Sequence, residues 1–228
     1  MITYTMTKDE LYRELASDAE WLIGLSGGIS IKYKKKLTLK TAPDGFHCLG
    51  ISKYTTPKNN KVFCSWLSVR ANNVITVEQI CFFEYVTKSG VVQYVAPCFP
   101  HMSNRPNNVI IYTAHAIERL RDRAGLSFED MLRYSAEFPS HHRDYYEYKG
   151  EKKEVFDFGD KGMFICEPHE WGVCAVTFVN NDILKANQEE KLNACISKTE
   201  DYRDYKLSTI GGLGENLTRK MKKGLILH

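Results

Sequence analysis

Between Ile29 and about Pro97 the chain alternates apolar and polar residues in short runs. A two-residue period is what a strand with one buried face requires, so this pattern limits the half of the chain that carries it to a sheet. Ile29, Ile31 and Tyr33 alternate with Ser30, Lys32 and Lys34, and the pattern returns in Leu37-Thr38-Leu39, in Val62 to Val69 and in Val74 to Val86. These runs predict half-buried antiparallel strands. Lys88-Ser89-Gly90, between two of them, predicts a hairpin in which Gly90 supplies a positive φ, and residues 54–60 read as a surface loop. Lys32, Lys34, Lys35 and Lys36, with Tyr33 among them, fit two roles: a sheet edge protected by charge, or a basic and aromatic track for a nucleic-acid backbone.

Ahead of the strands, Thr7 and Glu10 have capping-box spacing, and Leu11, Leu15, Ala19 and Leu22 recur at helical intervals, which predicts a packing helix over Lys8 to Leu22. Gly24-Leu25-Ser26-Gly27-Gly28 is expected to break it as a plain turn, because it lacks the Gly-Lys-Ser/Thr ending of a phosphate loop. With 228 residues, 43% hydrophobic and 26% charged, the chain has ordinary globular composition, which excludes a disordered class. A net charge of +3 imposes no overall field, although local basic patches remain. The seven cysteines are odd in number, lack a Cys-x-x-Cys pair and follow no secretory segment, so they are expected to be free thiols in a cytoplasmic protein. Cys98 and His101 with His47 and Cys48 are the nearest approach to a zinc set, and neither a metal nor another cofactor is expected. No apolar run approaches the roughly 18 residues of a membrane span.

The chemistry concentrates in Tyr112 to Gly125. Thr113 follows the β-branched run Val109-Ile110-Ile111 and precedes strong helix formers, which makes it an N-cap, and Gly125 suits the C-terminal left-handed position. Steps of four put His115, Arg119 and Arg123 on one face and Ile117, Leu120 and Ala124 on another. First-turn amides attract anions, so His115 is placed to serve as general base while Arg119 and Arg123 hold a phosphate, a set able to cleave a phosphodiester without a metal. The same residue types also make up an ordinary solvated helix face.

The segment Ile111 to Leu132 resembles the start of the small BrnT-like and related domains of the RelE-like toxin superfamily, which open with a His-Ala-x-x-Arg-x-x-x-Arg helix, then a second helix and a curled antiparallel sheet. Leu126 to Leu132 looks like the second helix, capped by Ser127 with Asp130, and 162–166 and 173–179 look like paired strands. The resemblance spans residues 107–184 and implies a metal-independent endoribonuclease with His115 as general base or acid, Arg119 and Arg123 on the scissile phosphate, and Thr177 near the end of the central strand. The chain departs from those small domains by adding about a hundred residues before the match and a tail after it.

Residues 139–148 are dense in groups that act on or stack with RNA: His141, His142 and Arg143 could supply an acid, and Tyr145, Tyr146 and Tyr148 a stacking surface, or the loop could simply cover a sheet edge. Glu167, His169 and Glu170 read as exposed turn residues, and Asn181 or Asp182 as the cap of a helix through about Ile196, followed by a polar arm ending in Arg219, Lys220, Lys222 and Lys223. The expected fold is α+β: a helix and β-rich region over 1–97, a Pro-rich linker at 98–106 holding three of the seven prolines if its neighbour Pro97 is counted, a RelE-like domain over 107–184, and a helix with basic tail over 185–228. The expected function is an RNA-directed module of the endoribonuclease type; the alternative is a non-catalytic binding or assembly protein of mobile-element or phage type, with a protein partner and no membrane association.

Overall fold

In a computed structural model describing residues 1–37, 41–72, 74–98, 106–137, 143–148 and 150–222, the chain is an α+β protein. Its first helix, α1 (Lys8–Lys36), opens on the expected capping box: the Thr7 hydroxyl accepts from Glu10 N, and the Glu10 carboxylate accepts from Thr7 N at 2.8 Å. The helix does not stop at Leu22. It continues through Gly24 to Gly28 and over the Lys-rich stretch that alternation predicts to be a strand, so Lys32 lies exposed on a helix rather than on a sheet edge. Packing overrides the local signal: Leu11, Leu15 and Leu22 are buried on the sheet before the glycines, and Tyr33 sits against Trp66 after them, with ring centroids 6.5 Å apart. Each mid-helix glycine costs about 1 kcal/mol relative to alanine, an amount that packing on both sides outweighs. Residues 38 and 39 of the expected strand lie outside the described residues.

Five strands follow as an antiparallel meander: β1 (Gly45–Thr55), β2 (Lys61–Ala71), β3 (Val74–Val86), β4 (Val92–Cys98) and β5 (Asn108–Tyr112). The Lys88-Ser89-Gly90 hairpin joins β3 to β4, with Gly90 at φ 81°. After α2 (Ala114–Ala124) and α3 (Phe128–Glu137) a second meander runs through β6 (Arg143–Tyr148), β7 (Glu151–Asp157), β8 (Met163–His169) and β9 (Gly172–Val179). β9 pairs with β5 in parallel, Ile111 opposite Cys174, which among the described residues fuses both meanders into one nine-stranded sheet of order β1-β2-β3-β4-β5-β9-β8-β7-β6. The boundary expected at 98–106 therefore falls between hydrogen-bonded neighbours: Cys98 belongs to β4 and pairs with Asn108 of β5, while residues 99–105 lie outside the described residues.

Strand alternation sorts the core. α1 covers a face built from Val62, Cys64, Trp66, Phe83, Val109 and Ile111, whereas α2 and α3 cover Phe82, Ile110, Phe164, Val173, Ala175 and Phe178. Trp171, in the turn between β8 and β9, donates from its indole to Met6 O at 2.7 Å, and its carbonyl accepts from the Tyr12 hydroxyl at 3.0 Å, so the N-terminal segment is bound to the second meander.

The C-terminal segment also departs from expectation. Asn181–Ile183 is a single 3-10 turn, and α4 starts at Ala186 and runs to Lys222, taking in most of the stretch read as a polar arm. Contacts spread along its length explain this. Leu192 and Cys195 pack on Val155, Met163 and Ile165, Thr199 donates to Asp157 at 3.0 Å, Arg203 donates to the Glu137 carbonyl at 2.6 Å, and Ile210 reaches Leu67 and Val69. One helix thus straps the second meander to the first. Lys223 of the expected basic terminus lies outside the described residues.

Gly172 marks how closely the meanders approach. A Cβ there would fall 2.5 Å from the Val109 carbonyl oxygen of β5 and 2.4 Å from Asn108 Oδ1. Gly172→Ala is expected to lower unfolding stability by about 1–3 kcal/mol, the usual cost of forcing atoms into a packed site, as read from the urea midpoint.

Candidate functional site

α2 is held where the two meanders join. The Thr113 hydroxyl accepts from Ala116 N at 3.0 Å, as an N-cap should, and also donates to the Ala175 carbonyl of β9 at 3.0 Å, while Gly125 ends the helix at φ 67°. Ala116 and Leu120 are fully buried, and Ile117 and Ala124 are partly so.

The stripe of His115, Arg119 and Arg123 divides along its length. His115 stands with its side chain 53% exposed, its Nδ1 3.7 Å from Glu118 Oε2, and its Nε2 accepting a long hydrogen bond of 3.4 Å from Arg119 Nε. Arg123 turns instead to the sheet: its Nη1 donates to the Phe178 carbonyl, and its own carbonyl accepts from Asn180 Nδ2 at 2.9 Å. It ties the end of α2 to the end of β9, and the two-arginine phosphate clamp is not assembled. Thr177 is turned away as well. β9 carries one extra residue, Val176, against β8, so Thr177 opposes Ile165, whose side chain packs with Leu192 of α4 rather than with α2.

The expected binding residues fall farther off. Arg143, Tyr145 and Tyr146 lie in β6, the edge strand three strands beyond β9, about 14 Å across the ladder. Tyr145 is exposed there, and His141 and His142 lie outside the described residues. Glu167 takes an ion pair from Lys153, and among the described residues no three His, Cys, Asp or Glu side chains gather as a metal site. Among the described residues, no helix is long and apolar enough to cross a membrane.

His115 does line a groove of about 850 Å³, formed between the first turns of α2 and α3 and the β3–β4 hairpin. Its helical wall carries His115, Glu118, Arg121 and Ser127, and its strand wall Ser89, Gln93 and Tyr94. The wall follows steps of three along α2 and therefore presents Arg121, not Arg119 or Arg123. Tyr94 stacks on Phe128 with ring centroids 3.9 Å apart and planes 18° apart. Burial, helped by the nearby Glu84 carboxylate, pushes the Tyr94 phenol above its ordinary pKa, so it stays neutral and offers a hydroxyl and a ring edge rather than a base. Gln93 accepts a hydrogen bond from Tyr85, which holds its amide on the opposite, α1-covered face of the sheet. Arg121 makes only exposed pairs, with Asp122 at 3.4 Å and Glu118 at 3.9 Å, which a stronger anionic partner can displace. The groove thus combines a cation, a carboxylate, an imidazole and an aromatic floor.

Sequence reasoning named His115 as a site candidate and Ser127 only as a helix cap, and did not bring Gln93, Tyr94 or Arg121 to this groove. The two β4 residues carried only strand alternation, and nothing local tells that their strand lies beside α2. Comparison with protein-family models, with curated proteins and with solved structures gives no match.

The different placements of the two arginines separate in stability. Arg123→Ala is expected to cost about 1–3 kcal/mol by removing a charged donor from the Phe178 carbonyl, whereas Arg119→Ala should stay within about 0.5 kcal/mol of wild type, both read by urea denaturation.

Proposed function

We propose that the groove between the β3–β4 hairpin and α2 binds single-stranded RNA without cleaving it. The observation that carries this reading is the separation of the residues. His115 shares a groove with Gln93, Tyr94 and Arg121, while Arg123 is engaged with Phe178 and Thr177 is turned to α4. Arg121 supplies a charge for a phosphate, His115 and Ser127 supply groups for base edges, and the Tyr94–Phe128 pair supplies an apolar rim for a base. The resemblance to RelE-like domains adds support through order: two capped helices, then antiparallel strands. A binding role fits the whole chain better than a free-standing toxin does, because the second meander is built into one sheet with the first.

A catalytic reading keeps one observation in its favour, the 3.4 Å contact between His115 and Arg119. One experiment separates the two. Labelled single-stranded RNA of mixed sequence is titrated with the full chain in the presence of a chelator, with anisotropy and gel integrity followed together. The proposal predicts salt-sensitive binding, intact RNA, and affinity lowered about tenfold by Arg121→Ala, equivalent to roughly 1.4 kcal/mol. Cleavage abolished by both His115→Ala and Arg119→Ala would put an endoribonuclease in its place. Absence of binding at low salt would overturn the RNA reading and leave the groove to a protein partner.

A further inference from the structure

Cys64 and Cys81 stand directly opposite one another on β2 and β3, and their sulfur atoms are 3.4 Å apart. Directly opposed residues of an antiparallel pair have Cα atoms about 4.5–5.5 Å apart, inside the range that a disulfide spans. The remaining step is therefore confined to the side chains, which must bring the sulfurs to about 2.05 Å. In the described ladders, Cys48 faces Leu67, Cys98 faces Asn108, Cys166 faces Ala175 and Cys174 faces Glu167, so none of these cysteines has another thiol across from it. Cys64 is fully enclosed under α1, and Cys81 is only partly buried.

We propose that this pair is an oxidation site: a small hydroperoxide converts Cys64 and Cys81 into a reversible cross-strand disulfide. Cys81, the less enclosed of the two, reacts first. Its thiolate sulfur attacks the peroxide O–O bond and becomes a sulfenic acid, with release of one water or alcohol after protonation. Cys64 then attacks the sulfenic sulfur, the new S–S bond forms, and the sulfenic oxygen leaves as water. In sum two thiols are oxidised by two electrons and one hydroperoxide is reduced. The adjoining thiol, with burial, holds the Cys81 group well above its ordinary pKa, so little thiolate is present at neutral pH and the reaction speeds up as pH rises.

The sequence makes the test direct. Trypsin releases residues 62–70 with Cys64 and residues 71–88 with Cys81, and neither fragment holds a second cysteine. Folded full-length chain is treated with hydrogen peroxide at neutral and at alkaline pH, alkylated, digested without reductant and analysed by mass spectrometry. The expected product is the 62–70/71–88 pair lighter by two hydrogens than its separate fragments. It should form faster at the higher pH, vanish with a thiol reductant, and be absent in Cys64→Ser and in Cys81→Ser. Over-oxidation of Cys81 without a link, a link made to Cys174 instead, or a link that appears only after unfolding in urea would each overturn the proposal.

Discussion

The parallel pairing of β5 with β9 is the interaction on which the rest of the molecule depends. Each meander alone could be built from sequential hairpins, but parallel neighbours need a crossover, and that requirement puts α2 and α3 on one face of the sheet. Thr113 sits at the end of β5 and bonds to Ala175 of β9, so the same seam that joins the meanders fixes the start of the helix bearing His115. The close approach at Gly172 and the Trp171 bonds to the N-terminal segment secure the seam from the other end. α4 then strengthens the arrangement by packing on both meanders.

The groove follows from this topology. β4 lies next to β5, and the β3–β4 hairpin projects beside the first turn of α2, which is how Tyr94 comes to line the same groove as His115 and Arg121. The seam also keeps the catalytic set apart. The extra β9 residue Val176 rotates Thr177 to the α4 side, and the Phe178 carbonyl at the end of the same strand takes the Arg123 guanidinium. A helix that reads as a nuclease motif is thereby used partly for folding: Arg123 fastens it, and its exposed face turns toward the groove.

Local signals were legible in the sequence. Thr7 with Glu10, Thr113, Ser127 with Asp130, Gly90 and Gly125 each act within a few residues, and each does in the structure what its chemistry prescribes. The alternation in β2 and β3 was legible because burial on one face leaves a two-residue period. The second half of α1 and most of α4 were not, because Gly24, Gly28, Gly211 and Gly212 lower intrinsic helicity, and contacts such as Tyr33 with Trp66 and Arg203 with Glu137 lie far away in sequence. The continuous sheet was hidden for a related reason: prolines mark a turn, but they do not tell whether the strands on either side pair. His115 was legible as an exposed residue in the first turn of a capped helix, whereas the residues that share its groove depend on strand order.

The most direct test of this account is the mapping of backbone amide chemical shifts during titration of the isotope-labelled chain with a short single-stranded RNA. The account predicts shifts concentrated in 87–94 on the β3–β4 hairpin and 113–121 on α2, the two walls of the groove. Shifts centred on Thr177 and the α4 side of β9, or no shifts at all in excess RNA, would contradict it.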